Sequence, residues 1–115
     1  MPSNYTLITD EPVTLPAPDG DLDTDLEFDA PDIATNRQPV LMYRVNPNGP
    51  GSVRVKVSIN GTDINNLPFR EVSRTFHEAV PRNLVKPNGN TLTLKVSDND
   101  GEIVVSDVVL LYKEL

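Results

Sequence analysis

The sequence predicts an all-β fold, a two-layer antiparallel β-sandwich, and three observations carry that prediction. Short segments alternate apolar and polar residues with the period of two that a half-buried strand requires. Turn-forming pairs separate them at regular intervals, and no segment sustains the 3.6-residue apolar period of a helix. The composition agrees: 115 residues, 37% of them hydrophobic, with eleven prolines and six glycines. That length suits one modest core, and residues 1–115 read as a single sandwich domain.

Tyr5 to Ile8 is the first strand candidate along the chain, and a short one. Asp21 to Asp29 alternates throughout, with Leu22, Leu26 and Phe28 on one face and acids on the other. Pro39 to Val45 reads as a strand whose inward face is Leu41, Tyr43 and Val45, with the turn-rich connection Asn46 to Gly51 after it. Ser52 to Asn60 is the clearest strand: Val53, Val55, Val57 and Ile59 point one way, Arg54, Lys56 and Ser58 the other. It ends in Asn60-Gly61, the pair best suited to a tight hairpin because both central positions need positive φ.

Arg74 to Val80 is the next strand, stopped by Pro81. Thr91 to Ser97 places Leu92, Leu94 and Val96 inward between two turn signals, Pro87 to Asn90 and Asp98 to Gly101. In the last strand, Glu102 to Lys113, the alternation changes phase near Ser106-Asp107. Ile103 and Val105 fall in one frame, Val108, Leu110 and Tyr112 in the other. A β-bulge at that point would return the second set to the core.

Several of these residues also carry a family resemblance. Val57-Ser58-Ile59-Asn60-Gly61, then Phe76 to Pro81, then Asn88-Gly89-Asn90-Thr91-Leu92, and the closing Ile103 to Leu110 resemble the galactose-binding-like jelly rolls. The likeness spans roughly residues 39–112 and rests on turn and core positions. It implies a jelly-roll sandwich, and membership among carbohydrate-binding, accessory and assembly modules, many with a structural calcium ion.

Charge is unevenly spread along a chain of net −7. Residues 1–36 hold nine of the 17 acids and no Lys or Arg, and all ten basic residues come later. This acidic segment reads as an arm or as edge strands that pair with a mildly basic remainder. Nucleic acid and anionic membranes are not expected partners, for want of a clustered basic surface. There is no cysteine, which removes disulfides, thiolate nucleophiles and cysteine zinc sites. The N-terminal residues lack the basic and apolar regions of a signal peptide, and the longest apolar run, Val108 to Leu111, is far too short for a membrane span. A cytoplasmic location, or release as part of an assembly, is the matching expectation.

Catalytic chemistry finds little purchase. His77 is the one histidine, and no Gly-x-Ser-x-Gly elbow accompanies it. Phosphate-cradling glycine motifs are missing. The ladder Asp19, Asp21, Asp23, Asp25, Glu27 and Asp29 suggests calcium, with Asp19, Asp21 and Asp23 as the candidate ligands. Yet carboxylates on one strand face fan out in a row, whereas calcium needs oxygens converging on a point. A solvated face paired with Arg54, Lys56 or Lys95 is the plainer expectation. For ligand contact, Asn65, Asn66, Phe69 and Arg70 lie in a stretch read as a polar, aromatic and cationic loop, and Tyr5 and Phe69 are the aromatics least committed to the core. The functional expectation is a non-catalytic structural or protein-interaction module, self-associating or binding a protein partner. The alternative is a carbohydrate-binding module, with calcium as its one conceivable cofactor.

Overall fold

A computed structural model of the chain describes residues 2–15, 22–48, 51, 53–69, 73–99 and 101–115, with the backbone alone described at 67, 69 and 97–99. The described residues form nine strands and no helix, so among them no helix is long and apolar enough to cross a membrane. The strands are β1 (Ser3–Thr9), β2 (Val13–Leu15), β3 (Asp23–Phe28), β4 (Val40–Pro47), β5 (Val53–Ile59), β6 (Thr62–Phe69), β7 (Arg74–Ala79), β8 (Asn90–Asn99) and β9 (Ile103–Lys113). One sheet has the order β1-β9-β4-β7, with β2 also pairing with β9; the other has the order β3-β8-β5-β6. Every pairing is antiparallel. The chain is a two-layer antiparallel β-sandwich.

Alternation fills the space between the sheets. Val53, Val55, Val57 and Ile59 of β5, with Leu92, Leu94 and Val96 of β8, face Leu41, Tyr43 and Val45 of β4 and the inward residues of β9. All are buried, as are Phe28 and Phe76. The phase change in β9 resolves as a bulge: Met42 lies opposite Val109 but Arg44 opposite Ser106, so β9 carries one extra residue there. Asp107 takes it up at φ 53°. Ile103 and Val105 before the bulge, and Val108, Leu110 and Tyr112 after it, thereby all reach the same core.

The hairpin turn also forms, with Asn60 at φ 50° and Gly61 at φ 84°. The segment beyond that turn differs from the sequence expectation. Asn65 to Phe69 is not a loop but the second half of β6, paired with β5 from Thr62 opposite Ile59 to Phe69 opposite Val53. A two-residue turn delivers the chain directly alongside the open edge of β5, where pairing satisfies backbone groups that a loop would leave to water. Pro68 is tolerated because β6 is an edge strand, with one side of its backbone unpaired. Two smaller differences concern the N-terminal third. β2 was not anticipated, and Leu22, expected inward, is 44% exposed at the start of an edge strand, where its carbonyl still accepts from the Val96 N–H (2.8 Å).

One pair of amides, the buried Asn90 and the half-buried Asn60, ties these elements together. Asn90 is fully buried, and its amide donates to the carbonyls of Phe28 (3.2 Å) and Lys86 (2.7 Å). Its Oδ1 accepts from the Lys86 backbone N–H (2.8 Å) and from Asn60 Nδ2 (3.0 Å). Asn60 Nδ2 also donates to the Leu84 carbonyl (3.0 Å), while its Oδ1 accepts from the Thr91 N–H (2.9 Å). No buried side-chain nitrogen or oxygen among the described residues lacks a partner.

These two features set expectations for stability. Asn90→Ala strands two carbonyls, an N–H and the Asn60 amide, so a loss of about 3 kcal/mol or more is expected in urea denaturation, from 1–3 kcal/mol for each unsatisfied buried group. Deleting Asp107 turns half of β9 inside out and should abolish cooperative unfolding. Asp107→Gly keeps the bulge and should hold the urea midpoint or raise it, since glycine carries no penalty at positive φ.

Candidate functional site

Of the ligand residues expected from the sequence, the two whose side chains are described, Asn65 and Asn66, do not share a face. Strand alternation sends Asn65 and Asn66 of β6 to opposite faces. Asn65 is half-buried and turns toward the five-stranded sheet, where its Nδ2 donates to Glu78 Oε1 of β7 (2.5 Å) and to the Tyr43 hydroxyl of β4 (3.2 Å). The Tyr43 hydroxyl in turn donates to Glu78 Oε1 (3.4 Å). Asn66 is exposed, and its carbonyl accepts from an Arg54 guanidinium nitrogen (3.4 Å). Phe69 ends β6; its side chain, and Arg70 altogether, lie outside the described residues.

The Asn65 cluster is a clasp between two edge strands rather than an open site. Beneath it Tyr43 and Phe76 stack with ring centroids 5.2 Å apart, and the Arg74 guanidinium lies 5.1 Å from the Phe76 centroid. Burial raises the Tyr43 phenol well above its ordinary value near 10; the Asn65 hydrogen bond works against that rise, and the negative charge of Glu78 adds to it. Each polar atom is engaged with another. His77 points away from this cluster, exposed on the outer face, while its neighbour Phe76 is buried.

The metal candidates sit elsewhere. Asp23 begins β3, at the far edge of the four-stranded sheet from β6, and Asp19 and Asp21 lie outside the described residues. Within the ladder, Asp25 accepts from the Thr93 hydroxyl (2.8 Å), and Glu27 accepts from that of Thr91 (3.1 Å). These threonines replace the basic partners expected from the sequence, because β3 borders β8 alone and Arg54 and Lys56 are one strand further away. Lys95 does lie opposite Asp23, and Lys56 pairs with Asp63 at 3.7 Å. Among the described residues no three His, Asp or Glu side chains converge on a point. Of the three candidate ligands Asp19, Asp21 and Asp23, the described residues include Asp23 alone.

The most open surface is one that local sequence patterns did not single out, the outer face of the five-stranded sheet. Register places Tyr5, Leu111, Val40 and Ala79 in one row across β1, β9, β4 and β7. Leu7, Val109, Met42 and His77 form the next. Tyr5 is 64% exposed, Leu7 49% and Leu111 40%, an unusual amount of apolar surface on one sheet face. Beside the first row lies a hollow of about 240 Å³ walled by Val40 and Leu111 and rimmed by Ser3, Asn4, Gln38 and Lys113. The Lys113 ammonium donates to the Ser3 hydroxyl (2.7 Å), and Asn4 is held by the Tyr112 hydroxyl (3.3 Å) and Glu114. The signal was present in the sequence: Val40 to Tyr43 and Val108 to Leu111 are continuous apolar runs, so each supplies the outer face as well as the core.

The whole fold is similar to three solved structures. A segment of dimeric latent PorU from Porphyromonas gingivalis superposes with a TM-score of 0.70 at 12% identity, covering 97% of this chain and 13% of that one. The CBM36-1 domain of a multidomain xylanase from the hindgut metagenome of Trinervitermes trinervoides gives 0.57 at 12% identity, covering 99% of both chains. A family 35 carbohydrate binding module from Clostridium thermocellum gives 0.55 at 8% identity, covering 98% of this chain and 99% of that one. The chain thus spans about an eighth of PorU but the full length of two carbohydrate-binding modules, and at these identities the likeness is one of fold. No protein-family model matches the sequence, and no curated protein does.

The buried phenols set an alkaline limit. Burial raises Tyr112 as it does Tyr43, with Glu114 and Asp32 adding to the effect. Below about pH 10 both phenols are neutral, folded or unfolded. Above it the unfolded chain ionises them while the folded chain resists, so stability falls as pH rises past about 10. The urea midpoint should drop between pH 9 and pH 11, and Tyr43→Phe should flatten that slope; an identical slope in the variant would assign the drop to other groups.

Proposed function

We propose that this chain is a non-catalytic carbohydrate-binding module whose binding surface is the outer face of the five-stranded sheet. The observation that carries the reading is the pairing, on that face, of an exposed tyrosine with a largely apolar hollow that Ser3, Gln38 and Lys113 border. A pyranose ring has the complementary form, with an apolar C–H face that packs on aromatic and aliphatic side chains and a perimeter of hydroxyls. An apolar surface with a few placed polar groups is the general form of a small-molecule site. The likeness in fold to two carbohydrate-binding modules along the whole chain supports the same reading.

The described residues of this face do not suit bond cleavage. Its carboxylate neighbour Glu114 is held by Asn4, and among the described residues no second acid opposes it across the hollow. Glycoside hydrolysis needs two opposed carboxyl groups, so the chemistry offered is recognition. Calcium is not required by this surface, and the binding proposed here is insensitive to a chelator.

One observation favours the protein-interaction reading as a second proposal: Tyr5, Leu7 and Leu111 are three large exposed hydrophobics on a single sheet face. A partner protein would bury them equally well. The experiment that separates the two is titration calorimetry of the chain against a panel of plant and microbial oligosaccharides, alongside light scattering. Saturable glycan binding by a monomer, weakened about tenfold by Tyr5→Ala as for an aromatic contact residue, is the expected result. A stable oligomer that binds no glycan, and that Tyr5→Ala dissociates, would replace it with the interaction reading.

A further inference from the structure

We infer that the ligand is a neutral, soluble, unbranched glycan chain lying across the strands and occupying about three sugar subsites; this rests on the glycan reading above. The two apolar rows run perpendicular to the strands, each crossing β1, β9, β4 and β7. Strands in a sheet are spaced by about 4.8 Å, so three steps give a track of about 14 Å. One strand step is close to the advance of one pyranose along an equatorially linked chain, so successive sugars meet successive strands. Tyr5 at one end, Leu111 and Val40 together in the middle and Ala79 at the other offer floors to three rings. Leu7, Val109 and Met42 form the parallel wall.

The shape of the track narrows the class further. Adjacent strands rotate by roughly 20–25°, so three steps accumulate about 60–75° of twist. A single chain in solution can follow such a surface. The flat, coplanar face of a crystalline polysaccharide cannot lie along it without losing contact at one end.

Charge points to a neutral polymer. Among the described residues, the only Lys or Arg along the two rows and the hollow is Lys113, whose ammonium is already engaged by Ser3. No guanidinium of the described residues lies in either row to pair a carboxylate, and the chain as a whole carries −7, which disfavours approach of a polyanion. His77 ends the second row at the β7 side, and Arg44 of β4 stands exposed in the row beyond Met42, outside the track.

The test is titration calorimetry of the intact chain with xylo- and cello-oligosaccharides of one to six units, with oligogalacturonate as the acidic arm and crystalline cellulose in a depletion assay. Affinity should rise about tenfold or more from one unit to three and then level off. Leu7→Ser, at a half-exposed position where the fold tolerates it, should remove most of that rise, with its thermal midpoint confirming that the variant is folded. Equal affinity for every length would overturn the extended track in favour of recognition of a chain end. Adsorption to crystalline cellulose without binding of soluble oligomers would overturn the twisted-track geometry, and tighter binding of oligogalacturonate would overturn neutrality. Binding of none of these, nor of any sugar in the wider panel, would remove the glycan reading itself and this inference with it.

Discussion

The sandwich depends on a single buried amide, Asn90, and the half-buried Asn60 bonded to it. Strand–strand hydrogen bonds build each sheet, and apolar contact joins the sheets, but neither fixes how the ends of the strands meet. Asn90 does so by using both its N–H bonds and both lone pairs of its oxygen on groups that come from the end of β3, the connection at Lys86, and the Asn60 turn. Asn60 extends the network to Leu84 and to the first residues of β8. A buried amide at full hydrogen-bond capacity tolerates one arrangement of its neighbours and penalises every other. The identity of the residue matters as much as its polarity: aspartate would offer no donors to Phe28 and Lys86, and leucine would satisfy nothing.

A second constraint shapes the outer face. Because β9 is flanked by β1 and β4 and covers the core with one set of side chains, its other set must face outward. The bulge at Asp107 keeps the inward set continuous, and the outward set after it, Val109 and Leu111, is apolar as well. β4 repeats the arrangement with Val40 and Met42 beside Leu41 and Tyr43. The core requires only half of these residues. The outer half needs another reason, and ligand contact supplies one.

Much of this was legible in the residues themselves. Period-two alternation marked β4, β5, β7, β8 and β9, the Asn60-Gly61 pair marked its hairpin, and the phase slip in β9 marked its bulge, because each is a local rule with a local cause. The misreadings share a different cause. Asn65 to Phe69 contains Pro68 and two amide side chains near it, so its local chemistry says loop; it becomes a strand because the β5 edge beside it needs a partner. The row joining Tyr5 to Ala79 is built from residues more than 70 positions apart, and no window of sequence contains it. The acid ladder was read as a row rather than a cluster, which the exposed Asp23, Asp25 and Glu27 match, but its threonine partners depended on strand order.

That ladder has a consequence for how the chain keeps its own company. β3 ends the four-stranded sheet, with one side of its backbone unpaired and so able to accept another strand. Carboxylates at every second position make the approach of an identical edge a meeting of like charges, and the threonines beneath hold two of those carboxylates in place. The same acids that suggest a cation site act as a fence against polymerisation. The fence is only as good as its charge: with amides in place of those acids, the edge of β3 becomes an ordinary strand edge, and the sheet can grow.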